Sequence, residues 1–260
     1  MKKLTKTLLV CALSMGSVAF AAPVTTTVAD GFIGGKDLPG PARDVIGAAS
    51  NFDIDNMAVT IDRATGTLKV KIATQWYDPA GTGFNFGRYH VDTGDLFIST
   101  NGWAPAGPAP YNTDDASNGE SWEYVFDTSN KNIYGGAFGI SKTQDEMAPN
   151  PLIVGGLYAY RDNQEARRSG GGTQTGSGGV TWSLAGDNSI AFVEYSLLLS
   201  DIGLNGNGPI NLGFHWTMTC GNDVIEGQVD GGPGQEVPEP GTLLLAGLGL
   251  VGLGLRRRTK

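Results

Sequence analysis

Trp76, Tyr77, Phe84, Phe86, Tyr89, Trp103 and Tyr111 gather between Gln75 and Asn112, in a stretch rich in Asn, Asp and Gly. Sugar rings stack on aromatic faces while amides and carboxylates bond their hydroxyls. Trp76, Tyr77, Tyr89, Trp103 and Tyr111 are therefore the candidate carbohydrate-binding residues. The competing reading is that these rings simply cover one end of the fold.

Other groups offer less. Carboxylates come in pairs at Asp53 and Asp55, Asp92 and Asp95, Asp114 and Asp115, and Asp145 and Glu146. A glycosidase needs two carboxyls about 5–10 Å apart in a cleft, but surplus acids on a solvated face are the plainer account. Calcium at a sandwich loop is the one cofactor these acids suggest, although no Asp-x-Asp-x-Asp-Gly loop occurs. The only histidines, His90 and His215, cannot complete a four-ligand zinc site without carboxylates. Gly170–Gly179 lacks the ending of a phosphate-binding loop, and no Gly-x-Ser-x-Gly elbow occurs. No catalytic residue and no metal ligand is assigned, and the body is expected to be non-enzymatic.

The charge distribution excludes one class of partner. The net charge of −8 divides into basic ends and an acidic middle. Lys2, Lys3, Lys6, Arg256, Arg257, Arg258 and Lys260 hold seven of the 18 basic residues, and all 26 acids lie between Asp30 and Glu239, so the middle carries −15. Such a body repels phosphates, and no nucleic acid is expected as a partner.

The ends read as addresses. Residues 1–21 show a basic start, an apolar run and Ala19-Phe20-Ala21, the pattern of a cleaved signal peptide and of export through the Sec machinery. Cleavage removes Cys11 and leaves Cys220 as the single thiol, buried or paired between chains. At the other end, Pro238-Glu239-Pro240 precedes an apolar run from Thr242 to Leu255, closed by Arg256-Arg257-Arg258. That run spans roughly 21 Å as a helix, short of the ~30 Å hydrocarbon core, so snorkelling and local thinning must help. The arginines form the membrane stop on the cytoplasmic side.

Residues 237–260 resemble the PEP-CTERM sorting signal. That resemblance implies a Gram-negative exported protein, held transiently in the inner membrane, recognised near Pro238-Glu239-Pro240 by the protease-transpeptidase exosortase, and delivered to the cell surface or extracellular matrix, where biofilm exopolysaccharide would be a partner. It implies little about what the body does.

Residues 22–230 must position the aromatic candidates. Glycine, at 40 of 260 residues, disfavours helices and suits tight turns. Met57, Val59 and Ile61, then Leu68, Val70 and Ile72, alternate with polar residues around a turn at Arg63–Gly66, which predicts a hairpin with one buried face. Further strands are expected at Asp95–Thr100, Trp122–Asp127, Ile133–Ile140, Leu152–Tyr160, Val180–Leu184, Ile190–Tyr195, Ile210–Thr219 and Val224–Val229, with a short turn or helix at Leu197–Leu204. Gly102–Gly119 and Arg167–Gly179 read as loops, the second flexible, and residues 231–236 as a linker. About ten such strands argue for one all-β sandwich domain, of jelly-roll or similar type. In the strand Phe214–Cys220 the residues Phe214, Trp216, Met218 and Cys220 point to the core and His215, Thr217 and Thr219 away from it, with Asn222 and Asp223 capping the turn that follows.

The order of these strands, and Gly213-Phe-His-Trp-Thr-Met-Thr-Cys-Gly-Asn-Asp-Val-Ile225 near their end, is similar to surface proteins whose bodies resemble DOMON domains and family-nine carbohydrate-binding modules. That resemblance implies a sandwich and a sugar or haem ligand. Haem would need a Met and a His; Met57, Met218, His90 and His215 are available, and no spacing singles out a pair. The alternative to a non-enzymatic surface protein is a secreted carbohydrate-active enzyme, or a sugar- or haem-binding protein, with the same tail.

Overall fold

A computed structural model describes residues 22–32, 34, 44–86, 89–142, 153–154, 157–158, 164–205 and 208–232. The signal segment 1–21, the linker beyond Gly232, and the tail with Pro238, Glu239, Pro240, Arg256, Arg257 and Arg258 lie outside these residues. So does the side chain of Tyr89.

Strand β1 (Val24–Ala29) is followed by a single helical turn (Ala49–Phe52), β2 (Ile54–Asp62) and β3 (Thr67–Thr74). Then come β4 (Phe84–Phe86), β5 (Tyr89–Val91), β6 (Leu96–Ser99), β7 (Tyr124–Asp127) and β8 (Asn132–Lys142). The two-residue strands β9 (Ile153–Val154) and β10 (Leu157–Tyr158) precede β11 (Glu165–Ser177), β12 (Gly179–Leu184) and β13 (Ala191–Leu198). A 3-10 turn (Leu199–Ile202), β14 (Asn211–Thr217) and β15 (Val224–Asp230) complete the order.

Two antiparallel sheets form a sandwich. One runs β1-β2-β3-β13-β12 and the other β11-β8-β7-β6-β14-β15. The predicted hairpin is β2–β3, with Met57 opposite Ile72, Val59 opposite Val70 and Ile61 opposite Leu68. Its turn is fixed by Asp62, whose carboxylate accepts from the N–H groups of Ala64 (2.9 Å) and Thr65 (3.2 Å). One core joins these residues to Leu96, Ile98, Phe126, Ile133, Leu212, Phe214, Trp216, Met218, Cys220, Ile225 and Val229 of the facing sheet and its continuation. Burying each such side chain contributes roughly 1.5–3 kcal/mol. No helix among the described residues is long and apolar enough to cross a membrane.

Three expectations change. Arg167–Gly179 is not a flexible loop: most of it is β11, the longest strand described, paired to β8 through repeated register shifts. Gly170, Gly171 and Gly172 take φ of 137°, 73° and 70° at those irregularities, where side-chain-bearing residues would be strained. β1 was not anticipated, because Thr25-Thr26-Thr27 gives it little apolar alternation. The linker is anchored at its start: Gly231 N–H donates to Ile210 O (2.8 Å), and Arg63 donates to the carbonyls of Gly231 (3.2 Å) and Gly232 (2.9 Å).

Candidate functional site

An antiparallel sheet commonly buries one face and solvates the other. In β14 both faces are buried: every residue from Leu212 to Thr217 is enclosed. Leu212, Phe214 and Trp216 point into the sandwich, as the alternation predicts. His215 points the other way, yet it is fully buried. Its cover is the 100–123 connection between β6 and β7, which folds back over the outer face of the sheet.

Trp103 and Trp122 of this connection, with Phe97, Val125 and Tyr134 of the sheet, make a second small apolar cluster. Beneath it lies a buried polar group. His215 Nε2 lies 2.6 Å from the carbonyl oxygen of Glu165, which can only accept, so Nε2 carries a proton. His215 Nδ1 lies 2.7 Å from Glu226 Oε1. A proton must therefore sit between the two, either as imidazolium with carboxylate or as neutral imidazole with carboxylic acid. Burial alone would lower the His215 pKa, but the Glu226 hydrogen bond and charge outweigh it, and the pKa is raised.

The cover is tied to this group by both indoles. Trp103 Nε1 donates to Glu226 Oε2 at 2.8 Å, and Trp122 Nε1 to Glu165 Oε1 at 3.3 Å. Asp114, within the cover, accepts from Ala106 N–H (3.1 Å) through its carboxylate and from Gln164 Nε2 (3.1 Å) through its carbonyl. Burial, and then the charge of Glu226, push the Asp114 carboxyl up to about 7. Burial raises Glu165 as well. Acids read from sequence as surplus on a solvated face are thus interior groups: Asp95, Asp114 and Asp115 are each 6% exposed or less.

The five aromatic candidates separate. Trp76 is corrected to a core residue: it is 2% exposed, stacked on Phe52 (6.3 Å between centroids) and edge-on to Phe84 (5.3 Å), because residue 76 continues the inward face of β3. Its ring has no open face for a sugar. Tyr77 is half-buried and meets Trp182 at 6.0 Å. Trp103 and Tyr111 do come together, 5.1 Å apart and edge-to-face. Phe32, far from both in the chain, stacks on Tyr111 at 5.8 Å and meets Trp103 edge-on at 6.5 Å. Trp103 and Tyr111 are both partly exposed. Tyr111 sits at φ 65°, an uncommon conformation for an aromatic residue, and its N–H donates to Pro108 O (2.8 Å). Ordered strain of this kind often marks a functional position.

Asn222 and Asp223 do more than cap a turn. Asp223 accepts from Ile54 N–H (2.7 Å) and Asn222 donates to Ile46 O (2.7 Å), so both fasten the turn after β14 to the chain around β2. Asp223 also joins Asp30 and Asp44: one carboxylate oxygen of each lies within 4.8 Å of the others, a spacing a hard divalent cation can bridge. Cys220 is buried, and burial pushes its thiol up to about 12, which makes it inert.

Residues 236–258 match the family model of the PEP-CTERM protein-sorting motif. The sorting signal read from Pro238-Glu239-Pro240 is thereby shown, and with it an exported protein targeted to exosortase and processed at the membrane on the way to the cell surface. No curated protein and no solved structure matches the chain. The resemblance of the body to DOMON and family-nine modules rests on its sequence order alone.

Proposed function

We propose that this exosortase-targeted chain is a non-enzymatic surface protein whose sandwich contacts polysaccharide outside the cell through Trp103 and Tyr111. The observation that carries this reading is the three-ring cluster of Phe32, Trp103 and Tyr111, in which two partly exposed rings are held in fixed orientation. The indole bond to Glu226 stops Trp103 from rotating. Rings fixed before binding lose little entropy when a sugar stacks on them. Support for a body without catalysis comes from Glu165, Glu226 and His215, which turn inward and engage one another and the cover instead of facing a cleft.

A glycan array probed with the exported protein tests the reading, with Trp103→Ala and Tyr111→Ala alongside. Selective binding that both variants lose supports it. Equal, weak signal on every glycan contradicts it. Release of reducing sugar from any glycan bound would favour a carbohydrate-active enzyme instead.

A further inference from the structure

We propose that the 100–123 connection is a pH-responsive cover, held tightest over the outer face of the six-stranded sheet under acid conditions and loosened as pH rises towards neutrality. The cover carries Trp103 and Tyr111, and the inference holds whether or not those rings meet a sugar.

Beside the Gly102–Leu212 bridge and the apolar packing of the two indoles, two side-chain bonds tie the cover to titratable groups of the sheet. Trp103 is tied to Glu226 on β15 and Trp122 to Glu165 on β11. Asp114, buried within the cover, adds a third carboxylate, and its backbone carbonyl accepts from Gln164 Nε2. Three buried carboxylates and one buried imidazole thus lie in or beneath the cover, and one imidazolium can balance only one ionised carboxylate. Uncompensated buried charge is costly, so the closed state retains protons that an open state releases.

The groups facing one another are few. Asp114 is faced by Glu226 of β15 and by Glu165 and His215 of β11 and β14. Glu165 is faced by His215 and Glu226, and His215 by both glutamates. The nearby arginines of β11 are committed elsewhere, Arg167 to Asp92 and Arg168 to Asp127. Within the cover, Glu123 is occupied by Thr100 N–H and Asn101, and Glu120 by Ala104 N–H.

The direction is the same for all three shifted groups. Asp114 is at about 7 when covered and returns towards ~3.9 when exposed, so closure weakens as pH climbs from about 4 to about 7 and is level above that. Glu165 is raised and acts likewise. His215 is raised too, and its contribution fades as pH rises from about 6.5 through its covered value.

Hydrogen exchange read by mass spectrometry, on the full chain in mild detergent from pH 5 to pH 8, tests the cover directly. Rates are referred to the unfolded chain at each pH. Protection of residues 103–122 should fall by at least about tenfold across that range while that of 54–74 changes much less. Asp114→Asn should flatten most of the fall. Should that variant misfold, a carboxyl NMR titration of the wild-type chain decides: a midpoint near 7 for Asp114 supports the cover. Protection of 103–122 that is level with pH, or an Asp114 midpoint near 4, overturns it.

Discussion

Trp216 of β14 donates its indole N–H to the hydroxyl of Tyr195 on β13, 2.8 Å away, and so ties the two sheets through the middle of the core. Both side chains are fully buried. The same hydroxyl contacts Thr128 Oγ1 (3.2 Å) and donates to Gly94 O (3.1 Å). Tyr195→Phe keeps the ring and leaves the Trp216 N–H enclosed without its acceptor. It should cost about 1–3 kcal/mol, read as a lower urea midpoint with an unchanged slope. A midpoint equal to that of the wild type would mean that the bond is dispensable.

Trp76 and Trp103 should part company on substitution. Trp76→Ala opens a core cavity and should cost about 3–5 kcal/mol, read as a much lower urea midpoint. Trp103→Ala should leave the sandwich folded and weaken glycan binding by about 1–2 kcal/mol, or roughly 5–30-fold. Circular dichroism with binding isotherms separates the two. Sugar affinity retained in Trp103→Ala would remove that residue from the site.

Asp95, at the end of the six-stranded sheet, gives overall stability its own pH dependence. Burial raises its carboxyl to about 7, although it accepts the N–H groups of Thr128 and Arg168 at 2.8 Å each. A raised carboxyl favours the fold below its unfolded value of ~3.9, and the benefit drains away as pH climbs to about 7. The loss is on the order of 4 kcal/mol at most. Urea midpoints at pH 5 and pH 7.5 should therefore differ more for the wild type than for Asp95→Asn. Equal differences would place the carboxyl near its ordinary value.

Cys220 should resist thiol reagents. With its side chain enclosed and its thiol at about 12, the native protein should react with a chromogenic disulfide at neutral pH only as fast as it unfolds, and fully in denaturant. Rapid native labelling would place the thiol at the surface, where pairing between chains becomes feasible.

What the sequence disclosed followed from local alternation. Met57–Ile61 against Leu68–Ile72, and Phe214, Trp216 and Met218 on one face, are period-two patterns that need no knowledge of distant chain. β11 was hidden because its Gly-rich stretch reads as a linker, whereas those glycines serve the bulges that let it follow β8. The polar cluster was hidden for a different reason. His215 falls on the face of its strand that alternation turns away from the core, while Asp114 and Glu165 lie in or beside stretches that read as loops. Only the return of the 100–123 connection encloses them. Trp103 and Tyr111 were legible as exposed aromatics, but Phe32, their partner from near β1, was not.

The central claim is that the chain is exported and then separated from its tail. Intact-mass spectrometry of the protein recovered from the cell surface and medium tests this most directly. The account predicts a C-terminus close to Pro238-Glu239-Pro240, without the Arg256–Arg258 cluster, and full-length tails only when exosortase is absent. Surface protein that still ends in Arg256-Arg257-Arg258-Thr259-Lys260 while exosortase is active would contradict it.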